Sequence, residues 1–465
     1  MSSEARSVVP VPGVPSMPAH APAWAAELAG KLERRRATVG VIGLGYVGLP
    51  LLVCLHEAGH RVVGFDVDAS KPEMLRRGEN YLPHLGAGLC RGLAGSDRFE
   101  ATTDERALAG VDAVVICVPT PLGAHHEPDL SYVHKTGEML GRVGVREKLV
   151  VLESTSYPGT TRDELLAAMV RGAGGPLVSG VDVAVAFSPE REDPGRTTHT
   201  TRTIPKLVGG LEGVSTALAA RLYAGAIDTV IPVGSAEVAE AAKVFENVFR
   251  SVNIALVNEL KLILEPMGID VWEVIAAAST KPFGFMAFWP GPGLGGHCIP
   301  IDPFYLAWKA REAGVAARFI ELAGEINHAM PGHVVARVSR ALNDVARAVR
   351  GSRVLVLGLA YKPDISDVRE SPSFELIEGL SELGAVVSYC DPHVPRTWRM
   401  RRHDLQMVGV ELTREELERA DCVLISTAHS VFDYGLVARH ARLVVDTRNA
   451  MAAHAGIMGA RLVKA

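Results

Sequence analysis

The sequence predicts an α/β protein in which two doubly wound parallel-sheet domains are joined by a helical middle section with a long central helix. Three observations predict it. Short apolar runs alternate with helical stretches over residues 37–212 and again over 333–465, the rhythm of parallel strands with crossover helices. Between these regions, Ser235 to about Leu264 reads as one helix without internal Gly or Pro. At 465 residues the chain also exceeds what one hydrophobic core ordinarily supports.

The elements follow in order. Residues 37–43 form an apolar strand, and 46–58 a helix in which Pro50 occupies the tolerated first turn. Arg61–Asp66 is a strand ending in an acid, and Val111–Val118 a buried one closed by Pro119-Thr120-Pro121. Leu149–Leu152 and Val183–Phe187 continue the pattern. A second helical stretch, about 316–348, follows the long helix. Strands then return at Arg353–Gly358, Val386–Cys390, Cys422–Ser426 and Leu443–Asp446, with a helix near 373–383. The expected divisions are a first α/β domain at 37–212, a helical central domain carrying the cysteine loop at 213–332, and a second α/β domain at 333–465. Residues 1–36, rich in Pro and Ala and ending in Lys31-Leu-Glu-Arg-Arg-Arg36, read as a disordered or weakly helical extension. A secretory leader would carry its charge before its apolar core; here the order is reversed.

Composition narrows the function classes. Hydrophobic residues make up 48% and charged residues 22%, the profile of a soluble globular protein. A net charge of −5 argues against a nucleic-acid binder. No apolar run is long enough to span a bilayer, so no membrane partner is expected. Cys54, Cys90, Cys117, Cys298, Cys390 and Cys422 are scattered, with no Cys-x-x-Cys pair and no clustering with histidine. That usage implies no metal site and fits a reducing, cytoplasmic location.

Val39-Gly-Val-Ile-Gly-Leu-Gly-Tyr-Val-Gly48 runs an apolar strand into Gly43-x-Gly45-x-x-Gly48, with Tyr46 and Val47 between the last two glycines. Gly43 permits the tight turn, Gly45 the close approach of a pyrophosphate, and Gly48 the packing of helix on sheet. Amides at that helix N-terminus then face the phosphates. Asp66 follows at the end of the second strand, placed to accept hydrogen bonds from an adenosine ribose and to repel a 2′-phosphate. The first domain is therefore expected to be Rossmann-like and to bind NAD in preference to NADP. The second α/β domain has Gly358-Leu-Ala-Tyr361-Lys362 without the three-glycine pattern, so it should bind something else. Lys362, Arg369 and Arg448 lie near its predicted strand ends or helix starts, where basic residues suit a diphosphate.

Gly295-Gly-His-Cys298-Ile-Pro-Ile-Asp302-Pro places one cysteine behind a glycine-rich approach and four residues ahead of a carboxylate. A single oxidation of an alcohol needs no cysteine. A second one does, because an aldehyde yields a hydride only after a nucleophile has added to it. Cys298 suits that role if a cation or backbone amides lower its pKa, and the glycines from Gly291 to Gly296 would keep its approach open. Lys243 and Asn247, at i and i+4 of the long helix, share one face and can hold a developing oxyanion. Asp302 could activate water or orient Lys243; Glu190, after a strand end, could position the hydrolytic water. Adjacent residues usually point apart, so His297 is not expected to pair with Cys298.

Together these residues resemble the UDP-glucose/GDP-mannose dehydrogenase family over about residues 37–450. The likeness rests on Gly43-Leu-Gly-Tyr-Val-Gly48, Val118-Pro-Thr-Pro121, Glu153-Ser-Thr155-x-x-Pro-Gly159, Ser188-Pro-Glu190, Lys243-x-x-x-Asn247, Gly295-Gly-His-Cys298 and Arg369-Glu-Ser-Pro372. The resemblance implies two successive NAD reductions, a cysteine thioester, a C-terminal domain gripping the nucleotide, and a homodimer or higher oligomer built through the long helix. It places Cys298 as nucleophile, Lys243 and Asn247 as oxyanion holders, and Asp302 and Glu190 as acid–base and water-positioning carboxylates. Thr155 falls on a water-binding, NAD-side position; Lys71, Pro119, Thr120 and Arg369 fall on cofactor-side positions; Gly295, Tyr361, Lys362 and Arg448, with Lys243 and Asn247 again, fall on substrate-side ones. His297, Ile301, Glu153 and Arg191-Glu-Asp193 depart from the UDP-glucose branch. Lys281-Pro-Phe-Gly-Phe-Met-Ala-Phe-Trp-Pro-Gly-Pro-Gly looks more like the branch acting on UDP-N-acetylhexosamines. UDP-N-acetylglucosamine is the expected substrate, with UDP-glucose, TDP-glucose and UDP-N-acetylmannosamine as alternatives. A nucleotide-sugar epimerase would need Tyr-x-x-x-Lys, and Tyr132-x-x-Lys135 has the wrong spacing.

Overall fold

Aliphatic runs supply the strands of the first sheet, several of them wholly buried as expected where helices cover both faces. They are β1 (Thr38–Ile42), β2 (Arg61–Phe65), β3 (Phe99–Thr102), β4 (Ala113–Ile116), β5 (Leu149–Leu152), β6 (Ala184–Phe187), β7 (Lys206–Gly210) and β8 (Val230–Pro232). Their order is β3-β2-β1-β4-β5-β6-β7-β8. Every pairing is parallel except β6 with β7, where Ala186 faces Gly210 and Phe187 faces Gly209. The order reverses between β1 and β4, the place where open sheets of this kind take their ligands. The computed structural model describes residues 13–82, 86, 88–123, 127–191, 200–296, 299–400 and 402–465.

Helices α1 (Ala23–Glu33), α2 (Gly48–Glu57), α3 (Ser70–Arg76), α4 (Ser131–Val143), α5 (Ala167–Ala173) and α6 (Gly213–Ala224) accompany this sheet. The N-terminal extension is helical in part. From Ala23 it is a helix that buries Ala25, Leu28, Ala29 and Leu32 and packs on α6. Arg221 of α6 ties it down, donating to Glu33 at 2.9 Å and to the Pro15 carbonyl at 2.8 Å. An isolated helix this short is marginal in water, and packing of the stripe stabilises it. The first sheet also continues past residue 212, because β8 adds to β7 in parallel.

Helix α7 (Ala236–Leu264) runs for 29 residues, and the division of the chain into two compact units, 1–245 and 246–465, falls within its sequence. The second unit contains α8 (Val271–Ala278), α9 (Asp302–Glu312), α10 (Arg318–Asp344) and α11 (Pro372–Glu382). Ser371 caps α11 by accepting the Ser373 amide, with Pro372 at the first helical position. The second sheet is wholly parallel, in the order β10-β9-β11-β12-β13. Its strands are β9 (Arg353–Leu357), β10 (Val386–Cys390), β11 (Cys422–Ile425), β12 (Val444–Asp446) and β13 (Leu462–Lys464). Among the described residues, no helix is long and apolar enough to cross a membrane.

Candidate active site

The glycine turn after β1 is sterically specified. Gly43 has φ of 89°, and a Cβ there would lie 2.5 Å from the Cys117 carbonyl oxygen. A Cβ on Gly48 would approach the Gly43 oxygen to 1.9 Å. Around Gly45, by contrast, an added Cβ meets nothing within 4 Å. Two glycines close the turn and the third leaves space, which fits the approach of a dinucleotide pyrophosphate. Tyr46 is exposed beside it, and Val47 immediately precedes α2. Asp66 is buried and fastens the turn, accepting the Leu44 amide at 2.8 Å and the Asp68 amide at 2.9 Å. Lys71 pairs with the same carboxylate at 2.8 Å, so two expected cofactor-side residues stand together.

Thr120 and Thr155 also meet. The Thr120 hydroxyl donates to the Thr155 carbonyl at 2.7 Å, just beyond the C-terminal ends of β4 and β5. Pro119 is exposed next to it. Glu190, beyond the end of β6, lies 3.4 Å from the ammonium of Lys206. That lysine is 2.7 Å from Glu153, which accepts the Tyr223 hydroxyl at 2.5 Å. Sequence reasoning found Glu153 and Glu190 but missed Lys206 and Tyr223. Lys243 is buried on α7, and one turn earlier Glu240 accepts the amides of Gly159 and Thr161 at 2.6 and 2.8 Å and the Thr161 hydroxyl at 2.6 Å. Burial pushes the Glu240 carboxyl up to about 7 against those three donors.

In the second unit, Asn247 and Asp302 are both buried and hydrogen-bonded at 2.6 Å. Asp302 is the first residue of α9. The glycines ahead of the cysteine do not leave open space as expected. A Cβ on Gly295 would come within 2.4 Å of the Tyr361 Cβ, and one on Gly291 within 2.4 Å of an Arg448 guanidinium nitrogen. Close packing is what requires glycine there. The Gly296 amide donates to the Arg369 carbonyl at 2.9 Å. Arg369 itself forks onto Asp367, with Nε and Nη2 at 3.0 and 2.6 Å from its oxygens. Arg448 donates to the Ser426 carbonyl at 2.8 Å, and burial pushes its guanidinium down to about 10. Lys362 and Tyr361 are half-buried beyond β9. His297 and Cys298 lie outside the described residues.

Two features carried no sequence signal. Lys261, buried on α7, has an ammonium without a hydrogen-bond partner among the described residues. Burial pushes it down to about 8, with Arg448 and Arg337 acting in the same direction and Glu265 opposing. Asp364, His393 and His429 also converge, although the sequence showed no metal-like spacing. Both ring nitrogens of His429 are engaged, Nδ1 with the Asp364 amide at 2.9 Å and Nε2 with Asp391 at 3.0 Å, which leaves it no lone pair for a cation.

Three family models match the chain. They are the NAD binding, central and UDP binding domains of the UDP-glucose/GDP-mannose dehydrogenase family, at residues 37–227, 237–329 and 355–453. Protein CapL of Staphylococcus aureus is 35% identical over 88% of this chain and 95% of its own. A UDP-N-acetyl-D-glucosamine 6-dehydrogenase of Pseudomonas aeruginosa is 35% identical over 85% and 91%. Among solved structures, the UDP-N-acetyl-D-mannosamine dehydrogenase of Pyrococcus horikoshii superposes with a TM-score of 0.78 at 30% identity, covering 89% and 96%. With a glycine turn shaped for NAD and relatives matched along nearly their whole length, the chain belongs to the UDP-glucose/GDP-mannose dehydrogenase family, the NAD-dependent nucleotide-sugar 6-dehydrogenases.

Proposed function

We propose that the protein oxidises the C6 alcohol of UDP-N-acetylglucosamine to the uronate through a thioester on Cys298. Support for the chemistry comes from the buried 2.6 Å pair of Asn247 with Asp302, four residues beyond Cys298. Support for the sugar comes from the 35% identical UDP-N-acetyl-D-glucosamine 6-dehydrogenase and from the Lys281–Gly293 segment.

Bound NAD supplies the hydride acceptor for each of the two oxidations. The first converts the alcohol to an aldehyde, with one proton passing to a base. The Cys298 thiolate then adds to the aldehyde carbon, and Lys243 and Asn247 hold the oxyanion of the resulting thiohemiacetal. Loss of its hydride in the second oxidation leaves a thioester. Water adds to the acyl carbon, the carbon–sulfur bond breaks, and sulfur departs as thiolate while the uronate leaves. Glu190 and Thr155 position that water, and Asp302 moves the protons. Gly295, Tyr361, Lys362 and Arg448 hold the nucleotide sugar; Lys71, Thr120 and Arg369 act on the cofactor side.

The protein assembles as a homodimer through α7, on which Phe249, Leu256 and Ile263 are exposed at seven-residue spacing. The deciding assay offers UDP-N-acetylglucosamine, UDP-N-acetylmannosamine, UDP-glucose and TDP-glucose with NAD. Two NADH per UDP-N-acetylglucosamine, and none from Cys298→Ala, is the expected result. A stoichiometry of one rejects the thioester route; faster turnover of another sugar rejects the substrate.

A further inference from the structure

Glu190, given the water-positioning role above, is held from two sides, by the backbone that follows it and by a lysine of the neighbouring strand. It follows the end of β6 and is half-buried, and one carboxylate oxygen accepts the Arg191 amide at 2.6 Å. The other lies 3.4 Å from Lys206. Lys206 is 4% exposed and sits on the first residue of β7. Its place is dictated by the one antiparallel pairing in the sheet. Phe187 faces Gly209, and continuing that register by three residues sets Glu190 opposite Lys206. The Ser188 hydroxyl, donating to the Leu207 carbonyl at 2.8 Å, extends the pairing in that direction.

A lysine has four rotatable bonds, so register alone would not hold its ammonium. Glu153, at the end of β5 and 1% exposed, does so from 2.7 Å. Tyr223 of α6, fully buried, donates its hydroxyl to Glu153 and places its ring 5.3 Å below the Lys206 ammonium. Each of the four side chains comes from a different element: β5, the end of β6, β7 and α6. Cys117, beyond the end of β4, completes the surroundings as a neutral thiol, pushed up by burial and then by Glu153.

We propose that Lys206, clamped by Glu153 and Tyr223, is a positioning residue that aims the Glu190 carboxylate for thioester hydrolysis. The proposal rests on the role given to Glu190 and adds three residues to it. Burial disfavours both the Lys206 cation and the Glu153 carboxylate; Glu153 and Glu190 nevertheless push the lysine up, while Lys206 opposes the upward push of burial on Glu153. A cation 3.4 Å from one oxygen, with the Arg191 amide on the other, narrows the orientations open to the Glu190 carboxylate.

A purely structural ion pair predicts something different. Removing one partner of such a pair leaves a lone buried charge, whereas removing both is often neutral. The test is therefore a set of variants, each checked for thermal melting and NAD binding, with NADH release and acyl-enzyme followed by stopped flow and intact mass. Lys206→Met should retain the burst of two NADH per site and then turn over roughly ten- to a hundredfold more slowly, with acyl-enzyme accumulating and KM little changed. Glu153→Gln/Lys206→Met should melt like the parent yet remain equally slow. Lys206→Arg should recover most of the rate.

Full recovery of turnover in the double variant overturns the proposal, as does a rate in Lys206→Met equal to the parent. Should the double variant fail to fold, Lys206→Arg measured against Lys206→Gln decides, and equal rates reject positioning. Glu190→Gln separates the two levels of argument. If it hydrolyses the acyl-enzyme normally, the role of Glu190 is wrong; if it is slow while Lys206→Met is not, only the role of Lys206 is.

Discussion

Asn247 on α7 donates through Nδ2 to Oδ2 of Asp302 at the start of α9, and both residues are almost wholly buried. The contact ties the expected oxyanion holder to the expected acid–base carboxylate, where sequence reasoning had offered Lys243 as the partner. Asp302→Asn keeps the shape and should change stability by less than about 1 kcal/mol. Turnover should fall by about a hundredfold or more, the usual share of a proton-transferring group. NADH formation beside urea unfolding checks this. Equal losses in both would make Asp302 structural.

Lys261 predicts a stabilising substitution. Its pKa falls from an ordinary 10.5 to about 8 on folding, which corresponds to about 3 kcal/mol. The unfolded state binds the extra proton between those values, so the cost is fully present below pH 8 and is relieved as pH rises toward 10.5. Lys261→Met should therefore raise unfolding free energy at pH 7 by up to about 3 kcal/mol, with the gain shrinking by pH 9.5. Destabilisation at pH 7 would mean that the ammonium has a partner worth keeping.

Glu240 has the opposite proton linkage. Its carboxyl rises from 4.5 to about 7 on folding, burial being the largest cause. The folded state holds the extra proton in that window, so stability should fall as pH rises from 4.5 to 7, by up to about 3 kcal/mol. Melting curves across that range should show this slope in the parent and none in Glu240→Gln. A slope surviving the substitution would assign it to other groups.

Leu256 tests the assembly. Its side chain is 58% exposed in the middle of the apolar stripe on α7. Leu256→Glu should shift the protein from the proposed dimer to monomer in light scattering while leaving NAD affinity within about twofold. A parent protein that is already monomeric would dispose of the interface.

Local chemistry made much of this legible beforehand. Leu149–Leu152 and Val386–Cys390 run as read from sequence, because short aliphatic runs between turn residues have few alternatives. The glycine turn was equally legible, since each of its glycines answers to a neighbour or to a gap. What escaped depends on distant pairing. Lys206 and Glu153 lie 53 residues apart, and no periodicity connects them. Lys261 looked like one more polar residue on a long helix, and only its neighbours reveal its isolation. The packing of α1 escaped for a different reason: its stripe was present in sequence, but the surface receiving it belongs to α6, nearly 200 residues later.

The lone antiparallel pairing sets a narrow tolerance for changes of length beside Lys206. One residue inserted within β7 ahead of Gly209 turns the Lys206 side chain to the opposite sheet face. The four-residue interval from Lys206 to Gly210 therefore carries the register that sets Lys206 against Glu190.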